Sequence, residues 1–342
     1  NYESSCKLLN PQAFRLFLVP FDSVTHQLWE LLMQPLIHHL KPQTFHQAIL
    51  IPTGYLSLIP LHAAWGEDET NPTGRRYALD DIHFTYAPNA KSLTAAKSIA
   101  DRIRTDSILA IDDPCQYLSN SEREVSAAIA NFPKSTVLKH EKATIETVRS
   151  QLSEAAIAHF SCHGTANLNE PLTSGLAMSD GLLTLKDIFA LNLVESGGLR
   201  LAILSACETG LQGIKNADEA ISLPTGLLQA GVAAVIASLW SVSDLSTMML
   251  LVRFYDYWRN ENLEPAAALR QAQQWVRDTT NEQKYDYLKD AFQKLVNTQQ
   301  ISAQEVDGLL REFMLRYTFP DGPQGKSFAH PFHWAAFSYT GH

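Results

Sequence analysis

The chain has 342 residues, 45% of them hydrophobic and 18% charged, with a formal net charge of −9. That is enough apolar material for one large or two modest globular domains. An acidic balance without a Lys/Arg run disfavours nucleic acid as the main partner, and no apolar stretch reaches the roughly 20 residues that would suggest a membrane span.

Cysteine usage points the same way. Cys6, Cys115, Cys162 and Cys207 are widely spread, with no CxxC pair and no dense disulfide framework, so a reducing, cytoplasmic setting is expected. The opening NYESSCKLLNPQ lacks the charged-then-apolar pattern of a signal peptide. It starts at Asn rather than Met, which leaves room for modules upstream.

Along the chain, short apolar runs predict strands at 14–19, 47–52, 81–88, 107–112, 156–162, 201–206, 233–240 and 334–341. Most are continuous rather than alternating, the pattern of strands covered on both faces. Helical patterns separate many of them. They lie at 22–40, at 119–132, where Ser121 and Glu124 read as a capping box, and at 143–155, 222–231 and 244–258. Strand–helix alternation predicts an α/β fold with a mostly parallel sheet between helices. Residues 264–314 carry two amphipathic helical patterns with no strand between them, read as a helical insertion before the last strand or, alternatively, a small helical subdomain. Asp180-Gly181 reads as the turn of a hairpin over 176–185.

Chemistry is expected where two core strands end. LAILSA (201–206) runs into Cys207, and AIAHFS (156–161) runs into Cys162-His163-Gly164. Ligand sites in open parallel sheets lie beyond the carboxyl ends of the strands. If the two strands are neighbours, about 4.8 Å apart, thiol and imidazole meet at one rim. The pair can then form a nucleophilic thiolate. A cysteine at a strand end is more often packing. Against that stand the polar ETGLQG turn after Cys207 and the open backbone N–H of Gly164, which suits an oxyanion donor. A zinc site at His159, Cys162, His163 and Cys207 is disfavoured, because strand alternation turns Cys162 away from His159 and His163.

These motifs resemble a known family. A strand ending in His-Gly, then a strand ending in Ala-Cys 44 positions later (207 − 163), is similar to the caspase-like cysteine peptidases of clan CD. HFSCHGTA (159–166), LSACETG (204–210), GLLQAGVAAVIASLWSVSD (226–244), HPFHWAAFSYTG (330–341) and ILIPTGYLSLIPLHAAW (49–65) resemble the CHAT branch. The resemblance implies a caspase-like fold, with 1–105 as its structural N-terminal part and 106–342 as the catalytic part. It implies Cys207 as nucleophile and His163 as acid–base. The N–H groups of Gly164 and Cys207 would be the oxyanion donors. Ser238, Leu239, Trp240 and Asp244 would line the substrate, with Asp244 taking a basic side chain unless it merely caps the following helix. No metal or cofactor is implied. The expected partner is a protein substrate, such as a gasdermin-like effector in bacterial defence or programmed cell death. Regulatory repeat domains or an activator would control the activity. A catalytically silent interaction module is the alternative. The segment 208–220 is expected to move when substrate or a partner arrives.

Overall fold

The computed structural model describes residues 11–71, 73–165, 167, 169–195, 197–205, 222–241 and 243–342, with side chains described from residue 20 onward. Its strands are β1 Gln47–Leu50, β2 Trp65–Glu67, β3 Arg75–Tyr77, β4 His83–Tyr86, β5 Ser107–Asp112, β6 Lys134–Lys139, β7 Ile157–Ser161, β8 Gly164–Thr165, β9 Gly175–Met178, β10 Gly181–Thr184, β11 Leu201–Ser205, β12 Ala234–Ser238 and β13 Phe337–Gly341. Its main helices are α1 Pro11–Leu28, α2 Gln34–Leu40, α3 Ala78–Asp81, α4 Ala90–Ala100, α5 Ser121–Ile129, α6 Ile145–Leu152, α7 Leu185–Ala190, α8 Leu223–Ala230, α9 Asp244–Tyr255, α10 Pro265–Asp278, α11 Asn281–Asn297 and α12 Ala303–Phe313.

Two compact units divide the chain. One comprises residues 1–48 and 60–84, the other 49–59 and 85–342. All of 106–342 lies in the second unit. In the first unit, Arg75 lies over the Trp65 ring, 3.8 Å from its centre, and grips Asp22 with two hydrogen bonds. The predicted strand at 14–19 is wrong: these residues belong to α1. A continuous apolar run does not by itself separate a buried strand from a helix, and here the helix extends for 18 residues.

The sheet runs in the order β1-β4-β13-β12-β11-β7-β5-β6. Pairing of β5 with β6, β5 with β7, β7 with β11, β11 with β12 and β4 with β13 is parallel, while β12 and β13 are antiparallel. The central strands are apolar because both faces are covered. On one face Leu109, Ile111, Ala158, Phe160, Ala202, Leu204, Val235 and Ala237 join a core with Leu185 and Ile188 of α7 and Leu223 and Leu227 of α8. Burying a side chain such as Phe160 stabilises by about 1.5–3 kcal/mol. The opposite face carries Ile108, Ile157, Ile203 and Ile236 together with the buried polar residues Asp112, His159 and Ser161. No helix among the described residues is long and apolar enough to cross a membrane.

The hairpin forms as expected: β9 and β10 pair with Gly181 opposite Met178. Asp180 in its turn accepts the Ile145 N–H at 2.8 Å, securing the start of α6. The helical insertion is not a detached subdomain. Gln273 of α10 donates to the carbonyls of Trp334 (3.1 Å) and Phe337 (2.9 Å), tying the insertion to the start of β13.

Candidate active site

β7 and β11 are parallel neighbours in register, with Ser161 opposite Ser205. His163 follows Ser161 by two residues, and Cys207 follows Ser205 by two. Cys207 itself, with Asp218, Glu219 and the rest of 206–221, lies outside the described residues. Cys162 is buried in the apolar core on the far face, as alternation requires.

His163 is half-buried at the carboxyl edge of the sheet. Burial pushes its imidazole below the usual histidine range, and the negative charge of Asp113 works in the other direction. The Tyr117 ring lies 6.4 Å away, centre to centre. The His163 carbonyl accepts the Ala177 N–H at 2.8 Å and so faces β9. In a trans peptide C=O and N–H point in opposite directions, which turns the Gly164 N–H away from β9.

Asp113 makes the corner beside His163. Its φ of 41° is left-handed, a conformation Asp tolerates. Its carboxylate accepts the N–H groups of Tyr117 (3.1 Å) and Leu118 (2.8 Å), and its own N–H reaches the Ser161 carbonyl at 2.9 Å. The ends of β5 and β7 are thereby locked together. Burial raises Asp112 above the usual carboxylate range, while a 2.6 Å hydrogen bond from Ser121 and the nearby Lys139 lower it.

The expected capping box at α5 does not form. Ser121 is spent on Asp112, and Glu124 turns inward to His159, 2.9 Å from Nε2. His159 also meets the Tyr255 hydroxyl at 3.0 Å through Nδ1. This fully buried Glu124–His159–Tyr255 chain links α5, β7 and α9 beneath the site, and it occupies both ring nitrogens of His159.

Asp244 does not cap its helix either. Ser243 is the cap residue, and Asp244 is the first residue of α9. Its Oδ2 accepts two bonds from Asn120, from the backbone N–H at 3.0 Å and from Nδ2 at 2.8 Å. Burial, and then the charges of Glu124 and Asp113, push its carboxyl up to about 6 despite those bonds.

The other expected substrate residues divide. Ser238 is fully buried and Leu239 is 8% exposed. β12 is an interior strand with β11 on one edge and β13 on the other, and the Leu239 N–H donates to Ala336 O at 2.9 Å. Both are buried here, and both edges of β12 pair with neighbouring strands. Trp240 is half-buried, its indole N–H donating to the Phe332 carbonyl at 3.1 Å. Trp240 and Asp244 are both partly exposed.

Asn120 and Asp113 escaped the sequence reading, and Glu124 was read only as a capping residue. Asp112-Asp113 at the end of a predicted strand was a usable signal. Asn120 and Glu124 were hidden inside a motif that reads as helix capping.

Comparison with known proteins gives three results. A family model for the CHAT domain matches residues 22–342. No curated protein matches the chain. Among solved structures, the Saccharomyces cerevisiae separase–securin complex is similar at 16% identity and a TM-score of 0.49, covering 66% of this chain and 14% of that one. The chain thus spans a small part of that protein. The complex of Porphyromonas gingivalis RgpB pro- and mature domains matches at 10% identity and TM-score 0.49, covering 99% and 70% of the two chains. The Arg-specific cysteine proteinase gingipain R matches at 10% identity and TM-score 0.47, covering 99% and 69%.

Proposed function

The chain belongs to the CHAT domain family, and on that premise we propose that it is a cysteine endopeptidase acting through His163 and Cys207. The observation that carries this reading is the in-register pairing of β7 with β11, each strand ending two residues before one member of the dyad.

The chemistry is acyl transfer to sulfur. His163, which burial favours in its neutral form, takes the Cys207 thiol proton. The thiolate attacks the scissile carbonyl carbon, and the N–H groups of Gly164 and Cys207 hold the oxyanion. The C–N bond breaks as His163 returns the proton to the leaving amine. Water, deprotonated by His163, then hydrolyses the thioester and releases the acid. The scheme uses no metal or cofactor.

A basic residue precedes the cleaved bond in this reading. Asp244 would receive it, in the field of Glu124 and Asp113. The substrate is a protein, such as a gasdermin-like effector in bacterial defence or cell death. The cytoplasmic enzyme would be switched on by a partner or an attached regulatory domain.

A labelled peptide library incubated with the purified chain tests the proposal. Cleavage that is lost in Cys207→Ala and in His163→Ala is expected. Cleavage that survives either substitution refutes it, and silence in every activating condition favours an interaction module instead.

A further inference from the structure

We propose that Asn120 is a positioning residue that presents Asp244 with a single open oxygen, so that the site prefers lysine to arginine before the cleaved bond. The inference rests on the reading of Asp244 as the acceptor of a basic side chain.

Asn120 directly precedes α5, where an asparagine ordinarily accepts N–H groups of its own helix. Here the side chain makes no such cap. It donates instead to Asp244, alongside the Asn120 backbone N–H. Its orientation is fixed from behind. Arg123 Nη1 lies 3.0 Å from Asn120 Oδ1, and a guanidinium only donates, so the amide oxygen must face Arg123 and the NH₂ must face Asp244. Arg123 is itself held by the carbonyls of Ser119 and Glu305, both at 2.9 Å. An amide clamped at both ends, on a helix left without its cap, serves Asp244 rather than local stability.

The consequence is asymmetric. Two donors fill both lone pairs of Asp244 Oδ2. Oδ1 accepts no hydrogen bond among the described residues. Asp113 and Glu124 add negative charge, so a cation is favoured there. A guanidinium binds best as a fork across two carboxylate oxygens, and only one is open. An ammonium is a point charge and needs only one.

Calorimetry on the full chain carrying Cys207→Ala tests this without requiring turnover. The probes are three matched peptides ending in lysine, arginine or leucine. The lysine peptide is expected to bind tighter than the arginine peptide by about tenfold, the worth of one charge-assisted hydrogen bond. Adding Asn120→Ala removes the Nδ2 donor and frees one lone pair of Oδ2, and the ratio should fall towards one. Asn120→Ser, which also removes the amide donor, should act in the same direction and serves if the alanine variant does not fold. Arginine binding as well as lysine, or a ratio unchanged by both variants, overturns this inference alone. If neither basic peptide binds better than leucine, the basic-residue reading falls and takes this inference with it.

Discussion

Asp244 sets the charge balance of the rim, and its cost is measurable. Its carboxyl titrates near 6 in the folded chain, against an ordinary value near 3.8. The folded state therefore holds a proton that the unfolded chain releases, and stability is lost as pH rises from about 4 through 6. Asp244→Asn should remove up to about 2–3 kcal/mol of that decline, read from urea midpoints between pH 4 and 7. An unchanged pH slope would contradict the account of Asp244. Ionised Asp244 is also the form that attracts a cation, so affinity for a basic peptide should rise over the same interval. At this scale the sequence was partly misleading. Ser121 and Glu124 satisfy a capping pattern in one dimension, yet β5 and β7 supply Asp112 and His159 as stronger partners from elsewhere in the chain. The position of His163 just past the end of β7 was readable because a strand end is a local property.

Elements were most readable where both faces of a strand are buried. β5, β7, β11 and β12 appear within a residue or two of their predicted ranges, because apolar runs bounded by polar turns have few other solutions. β6 was missed: it is an exposed edge strand, KSTVLK, with little apolar signal. The insertion reveals a second buried titratable group. Lys284 of α11 is fully buried, donates to Thr279 through its carbonyl (2.6 Å) and hydroxyl (2.8 Å), and lies 5.5 Å from the Trp275 ring centre. Burial, reinforced by Lys326 and opposed by Asp278, lowers its amine to about 7. Between 7 and the ordinary 10.5 the unfolded chain binds the extra proton, so stability should climb with pH across that range. Lys284→Met should flatten the climb in urea titrations. A wild-type curve that is already flat would contradict the assignment. Gly231, which ends α8 before β12, makes a steric demand: its φ is 111°, and an added Cβ would meet the Val194 backbone nitrogen at 2.6 Å. Gly231→Ala should cost about 1–3 kcal/mol, visible as a lowered Tm. A Tm equal to wild type would mean the turn relaxes freely.

Across the whole chain, the adjacency on which the sequence reading depended is present: β7 and β11 are parallel neighbours in register. The division into units was not readable, because 49–59 joins the later chain across a sequence gap. No local pattern encodes such a crossing. The surroundings of Ser238 and Leu239 are equally non-local. The strand that ends at Ser238 pairs with β13, nearly a hundred residues on, with Ser238 opposite Phe337. Asp113 acts electrostatically on both His163 and Asp244, which relates the end of β7 to the start of α9. The most direct test of the central claim is covalent. A lysine-ending peptidyl acyloxymethyl ketone, followed by intact-mass measurement and peptide mapping, should add one acyl-methylene unit to Cys207, and His163→Ala should slow the addition at least a hundredfold. Labelling that falls on Cys115 or Cys162 instead, or proceeds at the same rate without His163, would contradict the dyad.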